Sequence, residues 1–82
     1  MIKVSFASHL GRTLGVREAE VQAETVRGLL RELSRRHGKP FDDAVASCKV
    51  IVNGTNVAFL QGEGTKLADG DQVTLLPPLA GG

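Results

Sequence analysis

The middle of this 82-residue chain supplies one clear helix, and the rest of the sequence must be arranged around it. Thr25 offers a side-chain oxygen to cap a helix N-terminus, and Val26, Leu29, Leu30 and Leu33 follow at helical spacing. Gly38 supplies a stop, and Pro40 just beyond it cannot continue the helix. Gly28 inside the helix costs about 1 kcal/mol against alanine. A close approach of helix to sheet would explain its presence.

An amphipathic helix needs an apolar surface to rest on, and strand patterns lie on both sides of it. Ile2, Val4 and Phe6 alternate with Lys3 and Ser5, the period of a half-buried strand. Gly11 and Gly15 bracket a turn, and residues 14–21 read as a returning strand whose apolar face is thinned by Glu18 and Glu20. Residues 41–47 are polar and ambiguous, and a short turn of helix is one reading of them. Val50, Ile51 and Val52 form a β-branched run ended by Asn53-Gly54, a strong hairpin signal between apolar flanks. Residues 57–60 then read as a short return strand, and residues 61–71 as a loop broken by Gly62, Gly64 and Gly70. Val73, Leu75 and Leu76 make a last strand, stopped by Pro77-Pro78. The order strand, strand, helix, strand, short strand, strand predicts an α+β domain with the helix across one sheet face.

Composition narrows the function classes. The length suits one domain with a modest core, and 41% hydrophobic with 23% charged residues is ordinary for a globular fold. Three Phe with no Trp or Tyr give little to stack bases on, and a net charge of +1 implies no polyanion partner. No nucleic acid is expected. No segment approaches membrane-spanning length, so no membrane partner is expected either. The N-terminus lacks a long apolar signal region, and the single cysteine, Cys48, cannot form an intrachain disulfide. The expected location is the cytoplasm.

Few side chains suggest chemistry. Arg27, Arg31 and Arg35 line one helix face, a docking stripe or, as we favour, a solvated face with Glu32 and Arg36 pairing nearby. His9, His37 and Cys48 match no zinc spacing, so no metal site is expected. His37 reads as a residue of the helix C-terminus, and Cys48 as a plain strand-edge or buried thiol. Gly62-Glu63-Gly64-Thr65 lacks the full phosphate-loop pattern and its lysine. Asp69-Gly70-Asp71 is too short for a calcium loop and reads as a turn.

The tail is more specific. The chain ends Leu75-Leu76-Pro77-Pro78-Leu79-Ala80-Gly81-Gly82. Together with the element order, the Val52-Asn53-Gly54 turn and the run from Leu67 to Val73, this ending resembles the MoaD/ThiS family of ubiquitin-like sulfur carriers. Within it, the likeness is to the molybdopterin synthase small subunit. The resemblance implies a β-grasp fold, a mixed sheet against one main helix, with a core domain over residues 1–76 and a reactive tail over residues 77–82. It implies that a ubiquitin-activating-type enzyme, using ATP and Mg²⁺, adenylates the Gly82 carboxylate. A sulfur donor then converts it to a thiocarboxylate that gives sulfur to the molybdopterin synthase large subunit or another acceptor, in thiamine or cysteine synthesis for example. The alternatives are a protein modifier conjugated through Gly82 and a non-covalent binding module. This chain would bind no cofactor itself and needs no catalytic side chain.

The residues suit that chemistry. A carboxylate is anionic and has no good leaving group, so adenylation must supply one. Glycine lacks a Cβ, and Gly81-Gly82 can pass a narrow channel behind Pro78, Leu79 and Ala80. Pro77 and Pro78 lack N–H donors and favour an extended exit from the last strand. Leu76 is the expected partner contact. Family members carry large apolar side chains on the partner-facing sheet surface, and the corresponding positions here are Ala7, Asn56 and Leu76. Leu76 alone of these is large and apolar, which points to a less hydrophobic interface.

Overall fold

The computed structural model describes residues 1–78. Strand β1 (Ile2–Phe6) leads through a short helix α1 (Leu10–Leu14) to β2 (Glu18–Val21). The main helix α2 (Val26–His37) follows, then α3 (Lys39–Val45), β3 (Lys49–Val52), a two-residue β4 (Thr55–Asn56), two 3₁₀ turns and β5 (Gln72–Leu76). The sheet order is β2-β1-β5-β3-β4. β1 and β5 run parallel in its centre, and every other pairing is antiparallel. The mixed sheet with α2 against one face is the β-grasp arrangement.

Alternation sorts the side chains. Ile2, Val4 and Phe6 of β1, Val50 and Val52 of β3, and Val73 and Leu75 of β5 face inward and meet Val26, Leu29 and Leu33 of α2. The Thr25 hydroxyl caps α2, accepting from the Gly28 N–H at 3.1 Å. Gly38 ends it at φ 70°, the left-handed region where glycine carries no Cβ penalty.

Several expectations need correction. Strand β2 begins at Glu18 rather than residue 14, because Leu10–Leu14 is helical and closes at Gly15 with φ 74°. Leu10, almost fully buried, holds that helix to the core. Helix α2 stops at Gly38 as expected, and Pro40, which does not continue it, opens a second helix. The proline sits in the first turn of α3, where a missing N–H costs nothing. The segment read as polar and ambiguous is therefore a two-turn helix, and it buries Phe41. Residues 57–60 are not a strand. The Asn56 side chain accepts from the Ala58 N–H at 2.9 Å, which bends the chain into a 3₁₀ turn over Val57–Phe59.

Gly28 has no close approach to the sheet to explain it. A Cβ there would meet the Thr25 hydroxyl at 3.5 Å and the Ala23 Cβ at 3.9 Å, both ordinary contacts. Removing the glycine's excess backbone entropy should therefore help. Gly28→Ala is expected to raise stability by about 0.5–1 kcal/mol in urea unfolding. A loss would mean that the new methyl group disturbs the Thr25 cap.

Candidate functional site

The parallel pair in the middle of the sheet decides where the tail starts. β1 and β5 end on the same side, and the Ala7 N–H donates to the Leu75 carbonyl at 3.0 Å just beyond their last paired residues. The chain thus leaves β5 from the sheet centre. Pro77 is buried beside this exit and Pro78 is exposed. Leu79, Ala80, Gly81 and Gly82 lie outside the described residues.

Leu76 stands opposite Lys49, and Thr74 opposite Ile51, on the face turned away from α2. Leu76 and Ile51 are both half-buried there, so Leu76 is no part of the main core. Ala7 is half-buried beside the exit. The Asn56 carbonyl is occupied as the cap of the 3₁₀ turn. The most exposed large apolar side chain among the described residues is on none of these positions. It is Phe59, at 83% exposure, with Leu60 at 46% beside it. Reading residues 57–60 as a strand missed this pair. The signal was Asn56, whose short amide can cap a local turn and divert the strand.

The two turn motifs of the sequence hold each other. Asn53 at φ 49° and Gly54 at φ 88° form the positive-φ corner of the β3–β4 hairpin. The Asn53 amide nitrogen donates to Asp71 at 3.1 Å, and its oxygen accepts from the Gln72 N–H at 3.0 Å. Asp71 also accepts from the Ala68 N–H at 2.8 Å. The Met1 ammonium pairs with Asp69, and the Gly70 N–H donates to the Met1 carbonyl at 3.1 Å. Both ends of β5's approach are thereby fixed, far from the tail. These residues set the register of the strand that carries the tail.

The Ala68 N–H, helped by Asn53, holds the Asp71 carboxyl below its ordinary range. The hydrogen bond from Arg35, then that from Arg36, brings Glu32 down to about 2. A folded-state pKa below the unfolded value adds stability above the unfolded pKa and loses it as pH falls through the folded one. Stability should therefore decline from about pH 4.5 toward pH 2. The double variant Glu32→Gln, Asp71→Asn should lag the wild type at pH 6 and differ from it less at pH 3. Urea midpoints at the two pH values check this.

The other candidates find ordinary partners. Arg35 and Arg36 both reach Glu32, at 2.6 and 2.9 Å, and Arg27 lies 3.6 Å from Glu63. The helix face is a solvated one, with Arg31 exposed on it. The His37 ring meets Phe6 edge-on at 6.1 Å and Phe41 at 6.4 Å. Cys48 is half-buried, burial pushes its thiol up, and its Sγ donates to the Ala44 carbonyl at 3.3 Å. Among the described residues no group of three His, Cys, Asp or Glu side chains is placed to hold a metal ion. No described helix is long and apolar enough to cross a membrane.

Comparison with known proteins agrees with this architecture. The model of the ThiS family matches residues 8–82. A candidate sulfur carrier protein of Archaeoglobus fulgidus is 32% identical over 74 residues, covering 79% of this chain and 84% of that one. Among solved structures, that of the Amycolatopsis orientalis BexX/CysO complex contains a chain with a TM-score of 0.85 and 28% identity, over 100% of both chains. A candidate molybdopterin converting factor subunit 1 of Pyrococcus furiosus gives a TM-score of 0.80 at 30% identity, over 95% of this chain and 97% of that one. Small archaeal modifier protein 1 of Methanosarcina acetivorans gives 0.81 at 26%, over 99% and 95%. With a family match running over nearly the whole chain and a fold that agrees with it, the chain belongs to the ThiS family, the ubiquitin-like sulfur carriers that its turns and tail resemble.

Proposed function

We propose that this carrier works through the carboxylate of Gly82. The observation that carries the reading is the family match, which runs through residue 82 and so includes the Gly-Gly ending. A carboxylate oxygen of Gly82 attacks the α-phosphorus of ATP on a ubiquitin-activating-type enzyme, and pyrophosphate leaves with Mg²⁺. Sulfide, as HS⁻, then attacks the acyl carbon, AMP departs with the bonding pair, and the sulfur gives up its proton to water. The product is a terminal thiocarboxylate, ready to transfer its sulfur. The domain supplies a handle and the tail supplies reach: six residues after Leu76, fully extended, span about 20 Å.

For the acceptor we propose a molybdopterin synthase large subunit, on the name of the Pyrococcus relative. A cytoplasmic setting suits the free thiol of Cys48. The likeness to small archaeal modifier protein 1 supports a second reading, with Gly82 conjugated to a lysine of another protein. Isopeptide-linked adducts in cell extracts would favour it.

The test is intact mass after incubation with ATP, Mg²⁺, sulfide and a candidate adenylating enzyme from the same genome. A gain equal to exchanging one oxygen for sulfur, dependent on ATP, is expected. No gain, from an enzyme active on another carrier, overturns the assignment for that pairing.

A further inference from the structure

We infer that Phe59 is an anchor by which the adenylating enzyme grips this domain, seated in an apolar pocket of that enzyme while acidic groups face Lys49. The inference rests on the carrier reading above.

Position is the first argument. β4 runs antiparallel to β3, pairing Asn56 with Ile51, so the chain beyond Asn56 heads back toward Lys49. Ala58 and Val57 line one groove together with Cys48 and Lys49. Lys49 in turn pairs with Leu76, the last strand residue before the tail. The segment carrying Phe59 therefore borders the end of the sheet from which Gly82 is presented. An enzyme that admits Gly82 must lie against this end. The edge strand β4, from which the turn carrying Phe59 springs, lies two strand spacings from β5, about 10 Å, so a domain-sized partner docked over the exit also reaches this edge.

Chemistry is the second argument. The Asn56 amide is committed to its turn. That same turn is what lifts Phe59 off the sheet edge to 83% exposure, beside a half-exposed Leu60. An aromatic ring held on a short hydrogen-bonded turn loses little freedom on binding, and buried aromatics of this kind dominate interface energies. Lys49 is exposed and, among the described residues, in no ion pair; Arg12 and Arg17 are likewise exposed and line a shallow pocket with Phe6 beside the exit. Asp43 at this end is paired with Lys39, and Asp42 accepts from Ser34. Lys49, Arg12 and Arg17 outnumber the carboxylates at this end that are in no ion pair among the described residues, Asp42 and Glu18, and Lys49 is the cation beside the strand that carries the tail, which fits a carboxylate on the partner.

The experiment is the rate of ATP- and sulfide-dependent thiocarboxylation, read by intact mass, against concentration of the full chain. Wild type, Phe59→Ala, Lys49→Glu and the exposed helix control Arg31→Ala are compared. Phe59→Ala should raise KM tenfold or more with kcat within twofold and an unchanged thermal midpoint. Lys49→Glu should also raise KM, and Arg31→Ala should match wild type. A Phe59→Ala KM within twofold of wild type, in an assay where wild type gains sulfur, overturns this inference alone. Wild type that sediments as a dimer, with Phe59→Ala a monomer, overturns it in favour of self-association. A wild type that gains no sulfur overturns the carrier reading and this inference with it.

Discussion

A chain lacking Gly81 and Gly82 is expected to gain no sulfur and to keep its fold. The first half of that result follows from the chemistry proposed for the terminus. Removing the pair leaves Ala80 as the terminal carboxylate, two residues short of the position the partner's active site must reach. A shortfall of about 7 Å is far more than catalytic geometry tolerates, since misplacement by 1 Å can cost about a hundredfold in rate. The second half follows from burial. Among the described residues the core is closed by side chains from Ile2 to Leu75, and a glycine pair has no side chains to add to it. Unfolding free energy should change by less than about 0.5 kcal/mol, as for surface changes in general. Intact mass and urea unfolding on the same sample separate the two halves. Sulfur gain by the shortened chain would remove Gly82 from its assigned role. A non-covalent binding module, by contrast, would keep its partner after the truncation.

The limits of sequence reasoning fall at identifiable residues. The cap at Thr25, the alternation of Ile2, Val4 and Phe6, and the corner at Asn53-Gly54 each depend on a few neighbouring residues. Each was legible for that reason. The pairing of Asn53 with Asp71, 18 positions apart, is a product of the fold and has no local signature. The mistakes came where one side chain overrode a local pattern. Asn56 turned an apolar run out of the sheet, and Gly38 allowed a second helix to begin at once with Pro40 in its first turn. A close approach of helix to sheet would explain Gly28, and the packing does not supply one. The family match covers the tail through residue 82, and the role proposed for it needs reach and a carboxylate, both of which are written in residue types.

Phe41→Ala is expected to cost 3–5 kcal/mol, the usual range for truncating a buried aromatic. Phe41 is 1% exposed, and α3 carries it into the space beneath His37 and alongside the core residues of α2. A domain of this size has a stability toward the lower part of the usual range of about 5–15 kcal/mol, so the variant should be unfolded in a large fraction of molecules at 37 °C. Phe41→Leu, which keeps most of the volume, should retain most of the stability. The comparison with Phe59→Ala is decisive because the two substitutions delete the same atoms. One removes a ring enclosed by the core, and the other a ring that is 83% exposed. The first should shift the urea midpoint strongly and the second hardly at all. A small shift for Phe41→Ala would mean that α3 frays independently of the sheet. That would also loosen the connection into Lys49, whose strand is the tail's neighbour. A large shift ties the segment least legible in the sequence to the stability of the end that presents Gly82.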